Sequence, residues 1–309
     1  MVMIASANDA ALCRRATRRN FAQLTAGHLL SLPAAVALLL LFVAPTIAIF
    51  GIALTDWQLG ADDLSFIGLK NFRALLVDPD FYKSLRNSVV YTLLVLPATV
   101  CLGLAVALLI ESGRSFRAFY RAAHFLPVMA TMAAMAISWE ALLHPTIGLL
   151  TQALASLGVP TTNWLKNQHT VLPALAAIGI WQNFGYAMVL FLAGLKVIPP
   201  DLYEAAAVDG ADSAFDRLRT VTLPMLGPTT MFVTIIITLR SLEVFDTVSI
   251  ITQGGPEKAS EVLLYTLYTE SFSYLRTGYG AAITVVFLLM VTSLMLLQTR
   301  IMDRRVHYA

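Results

Sequence analysis

An all-α fold threaded repeatedly through a lipid bilayer is the class this chain predicts, on three observations. First, 58% of its residues are hydrophobic and only 13% charged, where soluble domains carry about 25% charged residues. Second, six stretches, 29 to 54, 87 to 110, 122 to 143, 171 to 195, 226 to 251 and 279 to 299, are apolar over the roughly 20 residues that a helix needs to cross the hydrocarbon layer. Third, lipid offers backbone N–H and C=O groups no partner, so such segments must close their hydrogen bonds as helices. The prediction is a polytopic membrane protein with six transmembrane helices.

Orientation follows from the basic residues. With the N-terminus inside, thirteen of the 21 lysines and arginines fall in inner segments: Arg14, Arg15, Arg18 and Arg19; Arg114, Arg117 and Arg121; Lys196, Arg217 and Arg219; Arg300, Arg304 and Arg305. Seven (Lys70, Arg73, Lys83, Arg86, Lys166, Lys258 and Arg276) fall outside, and Arg240 lies within a span. The asymmetry predicts both termini in the cytoplasm. It also accounts for the net charge of +2 without any nucleic-acid partner. Cys13 and Cys101 stand far apart, and neither they nor His144 and His169 have metal-ligand spacing.

Taken in order, residues 1–28 read as a cytoplasmic tail whose arginines meet anionic headgroups, 29–300 as the transmembrane domain and 301–309 as a second cytoplasmic tail. The first stretch follows a basic run as a signal peptide does. It is too long and lacks a small-residue cleavage site, so it reads as a retained span. Phe66, Leu69, Phe72 and Leu76 recur at helical spacing and predict a short amphipathic external helix. Span two is uncharged as far as Glu111, with Gly103, Ala105 and Ala107 available for close packing. Met129, Met132 and Met135 of span three read as packing, with Glu140 near its outer end.

Span four carries Trp181, Gln182, Asn183 and Tyr186, the last three within a polar side that must face protein or water. Span five carries Arg240, Glu243 and Asp246, which on an unbroken helix spread over about 120° of one face. Ionised groups within a membrane mark a functional path by default, the alternative being a structural Arg240–Glu243 pair. Residues 260–278, with Tyr265, Tyr268, Phe272 and Tyr274, predict a second external amphipathic helix.

The polar loop 199–228 reads as helix, turn, helix. Pro200 suits a first helical position, and Asp201 and Glu204 put negative charge near the positive end of the helix dipole. Leu202, Ala205 and Ala206 share a face, Gly210 ends the helix, and Asp212 or Ser213 caps the next one. Phe215, Leu218 and Val221 give that second helix an apolar side, and Pro224 and Pro228 mark re-entry into the membrane.

In this loop Glu204-Ala205-Ala206, Gly210 and Val221-Thr222-Leu223-Pro224 resemble the coupling loop of bacterial ABC importer permeases. Ten residues, Ala211 to Thr220, stand where that family's pattern has nine. Phe66 to Phe72, and Thr252-Gln253-Gly254-Gly255-Pro256 with Gln253 in place of a Gly, resemble phrases of its carbohydrate-uptake subgroup. The resemblance covers most of residues 60–300. It implies an ABC importer type I permease fold in the bacterial inner membrane, and a permease that is not an enzyme. Its partners would be a second permease subunit, two ATPase subunits and an external or periplasmic solute-binding protein. The chain has no Gly-x-x-x-x-Gly-Lys-Ser/Thr loop, so it needs no cofactor of its own, and ATP and Mg belong to the partner ATPase.

By the resemblance Glu204 pairs with a basic residue of the ATPase, and Ala205, Ala206, Asp209, Gly210, Phe215, Leu223 and Pro224 complete the coupling surface. Trp181, Gln182, Asn183, Tyr186, Arg240, Glu243 and Asp246 are the candidate substrate path, chemically suited to a sugar or polyol. Arg240 keeps open an anionic solute such as a glycerol phosphate or an acidic sugar. A proton-coupled transporter using Glu243 and Asp246 would leave the 199–228 loop unexplained.

Overall fold

The computed structural model describes residues 30–113, 115–158 and 163–303, so both predicted tails lie largely outside it, with Arg114, Arg304 and Arg305. Among the described residues the fold is all helix and loop, with one isolated bridge between Thr55 and Phe66. Four helices are long and apolar enough to cross a membrane: α1 (Leu30–Ile52), α3 (Pro79–Ser112), α7 (Val171–Val197) and α12, whose apolar part is Thr277–Ile301. α2 (Lys70–Leu75) and α6 (Leu149–Ser156) are short connectors. Two further candidate crossings, each counted as one span, are bent pairs. α4 (Arg117–Met129) meets α5 (Met132–Leu142) at 98°, and α9 (Ala214–Met225) meets α10 (Gly227–Leu242) at 69°.

Spans three and five are broken where apolar length predicted straight helices. In span three Ala130 and Thr131 are extended, at ψ 144° and 137°, so the helical ladder stops and restarts. Span five begins beyond a turn at Leu226 and its helix ends at Leu242. Non-helical backbone follows at 244–245, then a π-helical turn over Val248–Thr252. The single 120° face expected for Arg240, Glu243 and Asp246 therefore does not exist, because the three residues straddle the break.

The core forms where α3 and α7 cross, and small residues set the approach. A methyl group at Gly103 would stand 2.6 Å from Ala187 Cβ. One at Gly179 would meet the Tyr91 hydroxyl at 2.2 Å, and one at Gly185 the His124 carbonyl oxygen of α4 at 1.9 Å. Without hydrophobic drive between helices in lipid, such close packing is what holds them together. Phe191, Leu175, Ile178 and Met188 of α7 are fully buried. At the end of α1, Ile49 and Ile52 pack near Ala281 to Phe287 of α12, and none of the described residues before them in α1 is buried.

At the end of the bundle away from the 199–228 loop, polar side chains tie α3 to the segment before α12 (Thr277–Asp303). Asp78 caps α3, accepting from the Asp80 amide at 2.9 Å, and takes a hydrogen bond from Tyr279. Lys258 Nζ donates to Asp80 at 2.6 Å, and Asn87 donates to the Lys258 and Glu261 carbonyls. Arg276 donates to Glu270 at 2.7 Å. Burial raises both Glu261 and Glu270 above the ordinary carboxylate value, outweighing their basic neighbours. The predicted helix over 260–278 is α11 (Leu263–Tyr268) followed by a π turn, with Tyr268 edge-on to Phe245 at 5.0 Å. The predicted helix at 66–76 shortens to α2, and Leu75 is its buried residue while Phe66, Leu69 and Leu76 stay exposed.

Candidate coupling loop and translocation cavity

The 199–228 loop is built from local rules. α8 (Pro200–Val208) starts on Pro200 after the extended Pro199, with Asp201 in its first turn. It ends in a Schellman motif: Gly210 takes φ +94°, its N–H bonds to the Ala207 carbonyl at 3.2 Å, and the Ala211 N–H to the Ala206 carbonyl at 2.8 Å. Nothing lies within 4 Å of where a Gly210 side chain would sit, so the demand for glycine is conformational rather than steric. Ser213, not Asp212, caps α9, accepting from the Asp216 amide at 3.1 Å. The two helices are pinned by Tyr203 Oη against Thr222 Oγ1 at 3.1 Å and by Arg217 donating to the Ala211 carbonyl at 3.1 Å.

Within α9, Leu218–Thr222 is wound as a π turn. A π turn accommodates one more residue than an α turn, the room required by a ten-residue interval in place of nine. Val221 is thereby turned into the core beside Leu226 and Phe191, with Tyr203 and Ala206 packed against it. Glu204, Ala205, Asp209, Gly210, Leu223 and Pro224 are exposed and Ala206 is half-buried. The apolar side expected of α9 is divided: Val221 is buried but Phe215 is 67% exposed, alongside Val208 at 88%.

α7 leads from this loop to the second feature, a cavity of about 290 Å³. It is lined by Gln182 and Asn183 of α7, Arg240 of α10, and Glu243 and Asp246 at the break in span five. Arg240 lies over the Tyr186 ring at 4.3 Å and donates to Asn183 Oδ1 at 3.4 Å. Among the described residues it forms no ion pair, so the expected structural pair with Glu243 is replaced by an aromatic and an amide contact. Trp181 stands apart, edge-on to Trp139 at 5.2 Å.

Five lining residues escaped the sequence reading: Tyr91, Met132, Val244, Phe245 and Thr247. Met132, first residue of α5, receives the Gln182 amide on its sulfur, so a methionine read as packing belongs to the wall. The break at Glu243–Phe245 lines this cavity, and Met132, the residue just after the Ala130–Thr131 break, reaches it. Interrupted backbone within a membrane is tolerated where it lines a polar cavity, and interrupted helices commonly build solute sites there.

The geometry is matched by comparison with known proteins. A family model described as the binding-protein-dependent transport system inner membrane component matches residues 10–308. The probable ABC transporter permease protein YurN of Bacillus subtilis is 34% identical over 278 residues, covering 88% of this chain and 94% of that protein. The sn-glycerol-3-phosphate transport system permease protein UgpA of Agrobacterium fabrum is 36% identical, covering 79% and 83%. The trehalose/maltose transport system permease protein MalF of Thermococcus litoralis is 31% identical, covering 86% and 90%. The fold is shared with a bacterial alginate ABC transporter solved with an alginate pentasaccharide-bound periplasmic protein, at a TM-score of 0.80 and 21% identity over 93% of this chain and 96% of that one. With a family model matched along nearly its whole length, the chain belongs to the binding-protein-dependent transport system inner membrane components, the multi-pass permeases of ABC importers.

Proposed function

We propose that this chain forms half of the path of an ATP-driven importer for a neutral sugar or polyol, with a second permease subunit, two ATPase subunits and an external solute-binding protein. Both termini and the 199–228 loop lie on the cytoplasmic side in this reading. The observation that carries it is the pairing along one helix: α7 has the polar cavity at its middle and the exposed Glu204 loop at its end. The loop supplies a grip for a nucleotide-hydrolysing partner, and Glu204 is placed to meet a basic side chain there. The cavity offers amide, guanidinium, carboxylate and aromatic groups to hydroxyls, at the lower end of the roughly 300–1,000 Å³ range of small-molecule sites. Its two carboxylates and one guanidinium favour a solute without negative charge. Replacing Glu204 with Lys tests the grip: assembly in the membrane persists while ATP hydrolysis no longer drives uptake. Normal uptake would sink the docking role.

A second reading, an anionic solute such as a glycerol phosphate, is favoured by Arg240 being in no ion pair and by relatives named for sn-glycerol-3-phosphate transport. The variant Arg240→Gln separates the two. Loss of a charge-assisted contact worth about 1.5–3 kcal/mol would weaken uptake of an anion more than tenfold, whereas uptake of a neutral sugar falls only a few-fold. Uptake assays with labelled maltose and glycerol 3-phosphate read the difference.

A further inference from the structure

We propose a second, outer solute subsite, resting on the permease reading above: a polar chamber that receives a neutral saccharide before it reaches the central cavity. The chamber measures about 640 Å³, more than twice the central cavity, and lies at the end of the bundle away from the 199–228 loop. Its polar lining comes from Glu140 at the end of α5, His144, Asn163, Lys166 and Thr252. Glu140 and Lys166 bear opposite charges and enter no ion pair among the described residues, so the chamber carries donors and acceptors with no net charge. That combination suits hydroxyl groups, which donate and accept at once. Among the described residues the chamber is lined by no Phe, Tyr or Trp, so it holds a solute weakly, as a site on a path must if the solute is to move on.

Two segments run from this chamber to the central cavity. α5 lines the cavity with Met132 and the chamber with Glu140, about 12 Å apart along the helix at about 1.5 Å per residue. The stretch after the break in span five lines the cavity with Thr247 and the chamber with Thr252. Between them Leu143, Val244 and Val248 meet in one buried apolar cluster, Val248 with no exposure at all. The two compartments are thus stacked and shut from each other by an apolar plug. A solute arriving from outside meets the chamber first and passes only when α5 and the Val248–Thr252 turn separate.

The test uses the complete transporter in proteoliposomes with Cys13 and Cys101 replaced by Ser, and the membrane-impermeant reagent 2-sulfonatoethyl methanethiosulfonate added outside. Single reporters are Asn163→Cys in the chamber, Asp246→Cys in the central cavity and Gln58→Cys on an exposed outer loop. Without nucleotide, Asn163→Cys and Gln58→Cys react and Asp246→Cys does not. Sucrose, maltose and trehalose are then added separately. For a site of roughly millimolar affinity filled to roughly ten times its dissociation constant, at least one slows Asn163→Cys about tenfold and leaves Gln58→Cys unchanged. No slowing by any of the three overturns the proposal. So does equal protection by the unliganded binding protein, which would make the chamber a protein contact. Glu140→Cys, exposed, gives the same reading if Asn163→Cys fails to assemble. ATP-driven uptake by the cysteine-free parent is measured in parallel. Uptake without protection sinks the chamber alone, and protection without uptake sinks the permease reading alone.

Discussion

The 199–228 loop and the break in span five are both interruptions of helix, yet they are held by different means. At the loop every reversal is fixed by a neighbour in sequence: Pro200 starts α8, Gly210 and the Ala211 amide close it, and Ser213 opens α9. At the span-five break no cap of that kind is present. Glu243 ends α10 without a glycine, and the shape is held by distant partners, Arg240 on Tyr186 and Phe245 against Tyr265 and Tyr268 of α11. A locally encoded bend can be gripped and pushed without losing its form. A bend held by remote contacts changes when those contacts move, which is what a gated path requires.

That contrast can be broken most sharply at Gly210. A β-branched residue at φ +94° is strongly disfavoured, at about 1–2 kcal/mol or more, and it acts on the loop alone. Gly210→Val is expected to cut ATP-coupled uptake about tenfold or more while the melting temperature of the bundle barely moves. Gly210→Asn, which tolerates this conformation, keeps most of it. An equal loss in both variants would show that the glycine matters for something besides its backbone. A smaller effect is expected from Tyr203→Phe, which removes the hydroxyl joining α8 to α9 at a net cost of about 0.5–1.5 kcal/mol. Faster amide hydrogen exchange confined to residues 199–222 is the expected readout, and exchange that also rises at 240–247 would mean that the two regions are not independent.

The smallest expected effect concerns the clamp at the opposite end. Burial lifts Glu261 and Glu270 above their ordinary value of 4.5, so the fold binds their protons more readily than the unfolded chain does. Their contribution is fully present below that value and is lost as pH rises through their folded values. Thermal stability of the detergent-solubilised chain should therefore rise slightly as pH falls from neutral toward about 5, and Glu270→Gln should flatten that rise. A fall in stability over the same interval, absent from the variant, would show that the Arg276 pairing outweighs burial.

The same difference decides what was legible in the sequence. The loop could be read because proline, glycine and serine act within a few residues of themselves, and only the choice between Asp212 and Ser213 and the fate of Phe215 needed coordinates. For the cavity, Gln182, Asn183, Arg240, Glu243 and Asp246 announce themselves by being polar inside a span. The breaks do not: Ala130 and Thr131 sit in an unbroken apolar run, and Pro127 lies within the helix before them. Tyr91 reaches the wall only because Gly179, on another helix, has no side chain to block it. A glycine one turn before Asn183 was the available signal, and periodicity within one helix cannot reveal which neighbour fills its gap.

Gly185 carries one more consequence. With the His124 carbonyl filling the space of its missing side chain, α4 is clasped to α7 and cannot slide along it. α7 runs on into the 199–228 loop, so under the proposed coupling role force applied there would travel up a two-rod lever made of α7 and α4. Beyond the extended Ala130 and Thr131, α5 touches α7 through Met132 and Trp139 and also packs against the Val248–Thr252 turn, so in the proposed reading that turn is the stator against which the lever swings.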